Sequence, residues 1–153
     1  MKSLIILVSI HHQNTKRIAD AMAKVLKAKV VGPDAVKDIK GYDLIGFGSG
    51  IYGFKHHRSL FSLVDRLPEQ KGKKIFVFST SGNGGTKYNG ALVKKLDEKG
   101  FNIVGQFGCK GFDTMPYLGF LSKLLIPNGI NQGRPNEQDI EDARAFAKKM
   151  KKD

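Results

Sequence analysis

Hydroxyl, amide and imidazole side chains are concentrated in residues 9–16, between an apolar run and a helical pattern. Such side chains and the free N–H groups at the start of a helix can together bind a phosphate group. The alternative interpretation is that Asn14 or Thr15 only caps the helix. His11 and His12 have no carboxylate or cysteine near them in sequence, so we predict no metal site here.

Two later segments carry glycines among polar or aromatic residues. Residues 48–53 match the glycine pattern of dinucleotide-binding loops, but they do not follow the first strand of their unit. Their glycines would let the backbone approach a flat ring on which Tyr52 stacks; the alternative is a flexible turn with a surface tyrosine. Residues 79–86 are rich in hydroxyls, amides and glycine, which suits inward-pointing backbone donors or, alternatively, a plain polar turn.

Short apolar runs alternate with helical patterns and place these segments in a fold. Ser3–Val8 and residues 43–48, 74–79 and 102–107 predict strands buried on both faces, and Lys29–Val31 predicts a weaker strand. Apolar residues at helical spacing predict four helices, and a short fifth helix is expected near residues 34–38. The four apolar stripes are Ile18, Met22 and Leu26; Leu60, Leu63, Val64 and Leu67; Leu92, Val93 and Leu96; and Ile140, Ala143, Ala147 and Met150.

Strands that alternate with helices predict a five-stranded parallel sheet covered on both faces, an α/β fold of three α/β/α layers. Right-handed crossovers favour the doubly wound strand order 2-1-3-4-5. Ligands of such sheets bind at the carboxyl ends of the strands. We therefore expect the segments 9–16, 48–53 and 79–86 to lie side by side at one edge of the sheet.

The composition, with 41% apolar and 26% charged residues, predicts a single globular domain over residues 1–153. Cys109 is the single cysteine, which excludes an internal disulfide, and no apolar run is long enough to span a membrane. We expect a cytoplasmic protein without a transmembrane segment. The net charge of +12 is often found in nucleic-acid-binding proteins, but no basic arm or RNA-binding signature is present. The pattern favours a solvated lysine-rich surface and no nucleic-acid partner.

Three other phosphate chemistries lack the residues that they require. The chain has no Gly-x-x-x-x-Gly-Lys-Ser/Thr loop. A phosphoacceptor signalling domain of this topology needs an acidic cluster after the first strand and an aspartate at the end of the third, where Ser9 and Gly48 stand. A low-molecular-weight phosphatase needs a cysteine and an arginine separated by five residues, and Met115 stands at that distance from Cys109.

The order and spacing of the three polar segments resemble the flavin loops of the flavodoxin family, and the likeness covers almost the whole chain. Asn14 and Thr15, preceded by Ser9, are similar to the family's Thr/Ser-x-Thr-Gly-Asn-Thr phosphate loop, although residues 11–13 depart from that pattern. Residues 48–53 resemble the second flavin loop, and residues 79–84 resemble the third. Residues 111–114 and 133–137 are similar to those of a subgroup of small flavodoxin-family proteins.

The resemblance implies a non-covalently bound FMN, which would supply the redox chemistry. In that assignment the first loop holds the phosphate, Tyr52 stacks on the isoalloxazine ring, the backbone of residues 50–53 meets its redox-active edge and the third loop supports its pyrimidine edge. The implied cofactor-binding residues are Ser9, His11, His12, Asn14, Thr15, Ser49, Gly50, Ile51, Tyr52, Gly53, Thr80, Ser81, Gly82, Asn83 and Gly84.

The resemblance also implies an electron carrier that works between redox partner proteins, as a monomer or a weak dimer. Most flavodoxins are acidic, whereas this chain is basic, which favours an acidic partner such as a ferredoxin-like protein or a reductase. One alternative is an FMN enzyme of the same fold, such as a quinone-coupled oxidase similar to the flavodoxin-like protoporphyrinogen oxidase, or an NAD(P)H:quinone reductase. A third is a module that binds an acidic macromolecule without flavin.

Residues 112–131, after the last predicted strand, are unusually long and apolar for a connection. Leu121, Leu124 and Leu125 have helical spacing, and residues 127–129 form a Pro-Asn-Gly stop signal, so a short helix is expected. This helix either packs onto the sheet edge as part of the core or forms an apolar surface beside the flavin.

Overall fold

The computed structural model describes residues 1–114 and 118–152, and the strands in these residues form one sheet. The parallel strands follow the order β2-β1-β3-β5-β6, and the two-residue β4 pairs with β3 in the antiparallel direction. The predicted order 2-1-3-4-5 of the five parallel strands is confirmed. The fourth and fifth parallel strands are numbered β5 and β6 because the short β4, which was not predicted, precedes them in the chain. The strands are β1 (Ser3–Val8), β2 (Lys29–Val31), β3 (Leu44–Tyr52), β4 (Lys55–His56), β5 (Lys74–Ser81) and β6 (Asn102–Lys110).

Helices cover both faces of this sheet. The predicted short helix near residues 34–38 is a single 3₁₀ turn over Pro33–Ala35, and a second such turn spans Lys87–Asn89. None of the helices in residues 1–114 and 118–152 has the length and apolar content needed to cross a membrane. The helices are α1 (Asn14–Leu26), α2 (Arg58–Arg66), α3 (Gly90–Glu98), α4 (Phe120–Leu125) and α5 (Glu137–Lys152).

Two apolar cores, one on each face of the sheet, make the three layers. Successive residues of a strand point to opposite faces. Ile5 accordingly packs with α1 and α5, while Ile6 packs with α2 and α3. The predicted helical stripes supply the helix side of both cores, because their spacing of three and four residues keeps them on one helix face.

Three strands run further towards the carboxyl edge than their apolar patterns indicated. β3 continues past Gly48 to Tyr52, and the β3–β5 ladder includes the pairs Ser49 with Ser79 and Gly50 with Thr80. Backbone pairing does not depend on apolar side chains, so the ladder extends into the polar segments. Gly48 is consequently a packing position within the sheet, where the ring of Phe78 leaves no room for a Cβ atom.

The predicted helix in residues 112–131 is α4, and it ends before Pro127 as expected. Its Leu121, Leu124 and Leu125 side chains are exposed, so α4 forms a surface and is not part of either core. Residues 115–117 of this segment lie outside the described residues.

Candidate functional site

A cavity of about 540 Å³ opens at the carboxyl edge of the sheet, between the segments that follow β1, β3, β5 and β6. All three polar segments predicted from the sequence contribute to its wall. The predicted residues that line it are His11, Asn14, Thr15, Gly50, Ile51, Tyr52, Gly53, Thr80, Ser81, Gly82 and Asn83.

The other four predicted residues support this wall from outside the lining. The Ser9 hydroxyl accepts a hydrogen bond from the Lys16 N–H at 3.2 Å and so holds the first turn of α1. The His12 ring lies against the Phe112 ring, with 4.5 Å between their centroids. Gly84 donates its N–H to the Ser81 hydroxyl at 2.9 Å, which shapes the third segment. Ser49 is fully buried in a hydrogen-bond network described below.

Six lining residues were not among the predicted site residues. Phe54 and Tyr88 extend the second and third segments, with their ring centroids 6.0 Å apart. The remaining four come from the segment after β6. The likeness of residues 111–114 to a flavodoxin subgroup was the available signal for three of them, and Ile130 belongs to the apolar segment 112–131. The six are Phe54, Tyr88, Gly111, Phe112, Asp113 and Ile130.

Asn14 and Thr15 make long-range contacts, and neither acts as the cap of α1. The cap position is Gln13, which has a left-handed backbone and no side-chain cap bond. The Asn14 amide donates from Nδ2 to the Phe112 carbonyl at 2.7 Å. The buried Thr15 hydroxyl lies 2.8 Å from the Thr80 hydroxyl. These two side chains therefore tie the first segment to the other walls of the cavity.

Gly111 lies where the Asn14 side chain crosses to the segment after β6. A Cβ atom at Gly111 would lie 2.8 Å from the Asn14 Nδ2 atom, which is closer than Cβ atoms approach non-bonded atoms in folded proteins. The glycine therefore leaves the space that the Asn14 amide occupies, and any larger residue would push that amide away from its position in the cavity wall.

The second segment ends in a tight hairpin. Tyr52 pairs with Lys55, and the two residues between them, Gly53 and Phe54, both have positive φ. This is the backbone of a type I′ turn, in which a residue other than glycine or asparagine is strained. The Phe54 side chain is nevertheless 77% exposed while lining the cavity. Strain at such a position is a feature that functional sites retain.

Tyr52 forms a wall of the cavity between two imidazole rings. Its ring centroid lies 5.9 Å from that of His11 and 5.6 Å from that of His57. Burial raises the pKa of the Tyr52 hydroxyl, and a hydrogen bond from the Ile10 backbone N–H partly opposes this shift. The phenol is therefore neutral near pH 7 and gives the cavity a flat, uncharged aromatic face.

A buried polar network lies behind the second segment. The Ser49 hydroxyl is 2.9 Å from His56 Nδ1 and 2.7 Å from the Gly50 carbonyl, and it accepts the His57 N–H at 3.0 Å. His56 Nε2 lies 3.0 Å from the Asn89 side-chain oxygen. Burial lowers the pKa of His56 from 6.5 to about 4, with the Asn89 hydrogen bond opposing the shift. His56 is thus a neutral structural group at pH 7.

Other reactive chemistry is not indicated at this edge. Burial raises the pKa of the Cys109 thiol to about 12, so this cysteine is a protonated, unreactive side chain. Residues 1–114 and 118–152 hold no group of three metal-binding side chains. The cavity offers hydroxyl and amide groups from the β1 and β5 segments together with aromatic faces, which suits a flat ring that carries a polar tail.

Comparison with known proteins agrees with this architecture. A sequence model of the flavodoxin domain matches residues 5–137, so the chain belongs to the flavodoxin family. It is 45% identical over 156 residues to an uncharacterized protein from Methanocaldococcus jannaschii, with 99% of each chain covered.

Solved structures show the same fold at low sequence identity. A flavodoxin from the domain Archaea has a TM-score of 0.71 at 17% identity, covering 99% of this chain and 97% of its own. Flavodoxin 2 from Bacillus cereus has a TM-score of 0.67 at 21% identity, covering 96% and 95%. A flavodiiron protein from Giardia intestinalis has a TM-score of 0.65 at 13% identity, covering 99% of this chain and 35% of its own.

Proposed function

We propose that the chain is a single-domain cytoplasmic flavodoxin that binds FMN in the cavity and carries electrons between redox partner proteins. The observation that carries this proposal is the convergence of three polar segments, predicted separately from the sequence, on one cavity of about 540 Å³. That volume lies within the range of small-molecule and cofactor sites. The family to which the chain belongs supports the same assignment.

The donor set of the cavity fits FMN. Asn14 and Thr15 stand where the first loop meets the start of α1, so we assign them to the phosphate. His11 lines the same loop and is assigned with them. We assign Tyr52 to the ring face and the backbone of residues 50–53 to the ring edge. Bound FMN would supply the redox chemistry, and these residues would hold and orient it.

The spectrum of the purified protein tests the cofactor. We expect a yellow protein that releases FMN, and not FAD, on denaturation, because the cavity offers a single phosphate cradle. Chromatography of the released compound distinguishes the two. A colourless protein that also causes no change in the fluorescence of added FMN would contradict the proposal.

The Tyr52→Ala variant is expected to weaken FMN and riboflavin binding by the same factor. Stacking on an aromatic face contributes about 0.5–1.5 kcal/mol beyond area burial, which corresponds to roughly 2- to 12-fold in affinity. Both ligands share the ring, so both lose this contact. We also expect a shift of the flavin midpoint potential, measured by spectroelectrochemistry.

The Tyr52→Phe variant is the matched control, because it keeps the ring and removes only the hydroxyl. It should retain nearly the wild-type affinity for both ligands. If Tyr52→Ala leaves affinity and potential unchanged, Tyr52 does not contact the ring.

A further inference from the structure

Positive charge predominates at the carboxyl edge of the sheet, around the cavity. The segments at the carboxyl edge, residues 9–17, 53–58, 82–89 and 110–131, contain one acidic residue, Asp113. Lys16 is paired with Asp20 at 2.6 Å. We call the exposed cations of these segments the basic face: Lys16, Arg17, Lys55, Arg58, Lys87, Lys110 and Lys123.

The opposite edge of the sheet carries more acidic residues among its basic ones. Its connections, residues 27–28, 32–43, 67–73 and 99–101, carry both signs of charge. Their basic residues are Lys27, Lys37, Lys40, Lys71, Lys73 and Lys99, and their acidic residues are Asp34, Asp38, Asp43 and Glu69. Lys2 and the lysines in the last turn of α5 add positive charge to this edge. The basic face is therefore distinguished by its single acidic residue and by its position around the cavity, where it faces any partner that approaches the cavity opening.

An apolar surface on α4 adjoins the basic face. Phe120, Leu121, Leu124 and Leu125 are 80%, 51%, 67% and 65% exposed, and we call these four side chains the α4 patch. Their spacing places them on one side of the helix, with Lys123 beside them. Exposed apolar patches that are rimmed by charged residues are typical of interaction sites.

The segment that carries α4 is anchored to the cavity rim at both ends. Asp113 and Ile130 form an antiparallel bridge, and both line the cavity. The Asn131 side chain donates to the Gly82 carbonyl at 2.7 Å and to the Gly111 carbonyl at 3.2 Å. A partner that covers the α4 patch would therefore sit beside the cavity opening.

We propose that the α4 patch and the basic face together form the docking surface for a small acidic electron-transfer protein. The arrangement of an apolar centre and a charged rim is that of a transient protein–protein interface, in which opposite charge speeds association. A second copy of this chain is disfavoured as the occupant, because it would bring another basic face against the first. This inference rests on the proposed FMN site, since docking beside the cavity serves electron transfer only when a flavin is bound there.

Charge reversal on the two edges tests the electrostatic part of the proposal. The probe is a small acidic ferredoxin with two [4Fe–4S] clusters, and stopped-flow mixing measures its association rate. Reversing Lys87 and Lys123 to glutamate should slow association about tenfold or more at about 0.05 M salt, and much less at about 0.5 M. The matched control reverses Lys37 and Lys71 to glutamate, which changes the net charge equally on the opposite edge and should change the rate less than about twofold.

The apolar part is tested by replacing Leu121 and Leu125 together with glutamine. Because both side chains are exposed, the melting temperature and FMN affinity should stay at wild-type values. Calorimetric affinity for the ferredoxin should fall about tenfold, as expected when apolar contacts at an interface centre are lost.

Three results would contradict the proposal. In these, the wild-type protein shows no ferredoxin binding, the two charge-reversal pairs have equal effects, or the glutamine variant keeps the wild-type affinity. If the wild-type protein dimerises in analytical ultracentrifugation and the glutamine variant does not, the α4 patch binds a second copy of the chain. If the wild-type protein binds phosphatidylglycerol vesicles and the glutamine variant does not, the patch binds a membrane surface. Calorimetry does not require the flavin, so a protein that binds ferredoxin but not FMN would refute the proposed function and leave the docking surface supported.

Discussion

Replacing Asn14 with alanine is expected to weaken FMN binding by about 10- to 100-fold and riboflavin binding much less. Hydrogen bonds to a charged group contribute about 1.5–3 kcal/mol each, and riboflavin lacks the phosphate. The Asn14 amide has two N–H donors, and one of them is used by the Phe112 carbonyl. The second can serve the phosphate that we assign to this loop. Fluorescence titration of the apoprotein with both flavins measures the difference.

Thr15 offers a matched pair of substitutions for the same test. Its hydroxyl shares one hydrogen bond with the Thr80 hydroxyl and can make another to a phosphate oxygen. Thr15→Ala should therefore reduce FMN affinity selectively, as Asn14→Ala does, whereas Thr15→Ser keeps the hydroxyl and should retain it. Equal losses for FMN and riboflavin in both alanine variants would mean that these side chains only hold the cavity walls together.

Acid destabilisation through His56 is the second large expected effect. The pKa of His56 is about 4 in the folded protein and 6.5 in the ordinary unfolded environment. Between these values the unfolded chain binds the extra proton, so the free energy of unfolding falls as the pH falls from 6.5 to about 4. The full difference corresponds to about 3 kcal/mol at 1.36 kcal/mol per pH unit. Urea unfolding of the apoprotein across this pH range measures it.

The His56→Gln variant should lose this part of the pH dependence, because glutamine cannot be protonated there. It should also be less stable near pH 7, since it replaces a residue that bonds both Ser49 and Asn89. His12→Gln is the control for replacing an imidazole outside this network, because His12 is exposed to solvent. A wild-type slope in His56→Gln would show that other groups cause the acid sensitivity.

The order of the parallel strands, the helix faces and the edge that holds the cavity could be predicted from the sequence. These features follow from local patterns. Continuous apolar runs such as Ser3–Val8 indicate strands covered on both faces, and stripes such as Ile18, Met22 and Leu26 indicate which side of a helix is buried. Once strands and helices alternate, handedness leaves few topologies, and all three polar segments must then lie at the carboxyl edge.

The tertiary structure alone decided how individual side chains are used. Ser49 stands in a polar segment, yet it points into the buried network with His56 because β4 folds back onto β3. Phe112 and Ile130 complete the cavity wall for a similar reason. Asp113, which follows Phe112, pairs with Ile130, and the Asn131 side chain donates to the Gly111 carbonyl.

Contacts between residues far apart in the chain account for this division. Asn14 meets the Phe112 carbonyl across 98 positions of sequence, and Thr15 meets Thr80 across 65. Local periodicity indicates which face of an element is buried, but it does not indicate which distant residue that face will contact. The exposure of α4 is decided in the same way. Its apolar spacing is equally consistent with a core helix or a surface helix, and in the folded chain its apolar side faces solvent.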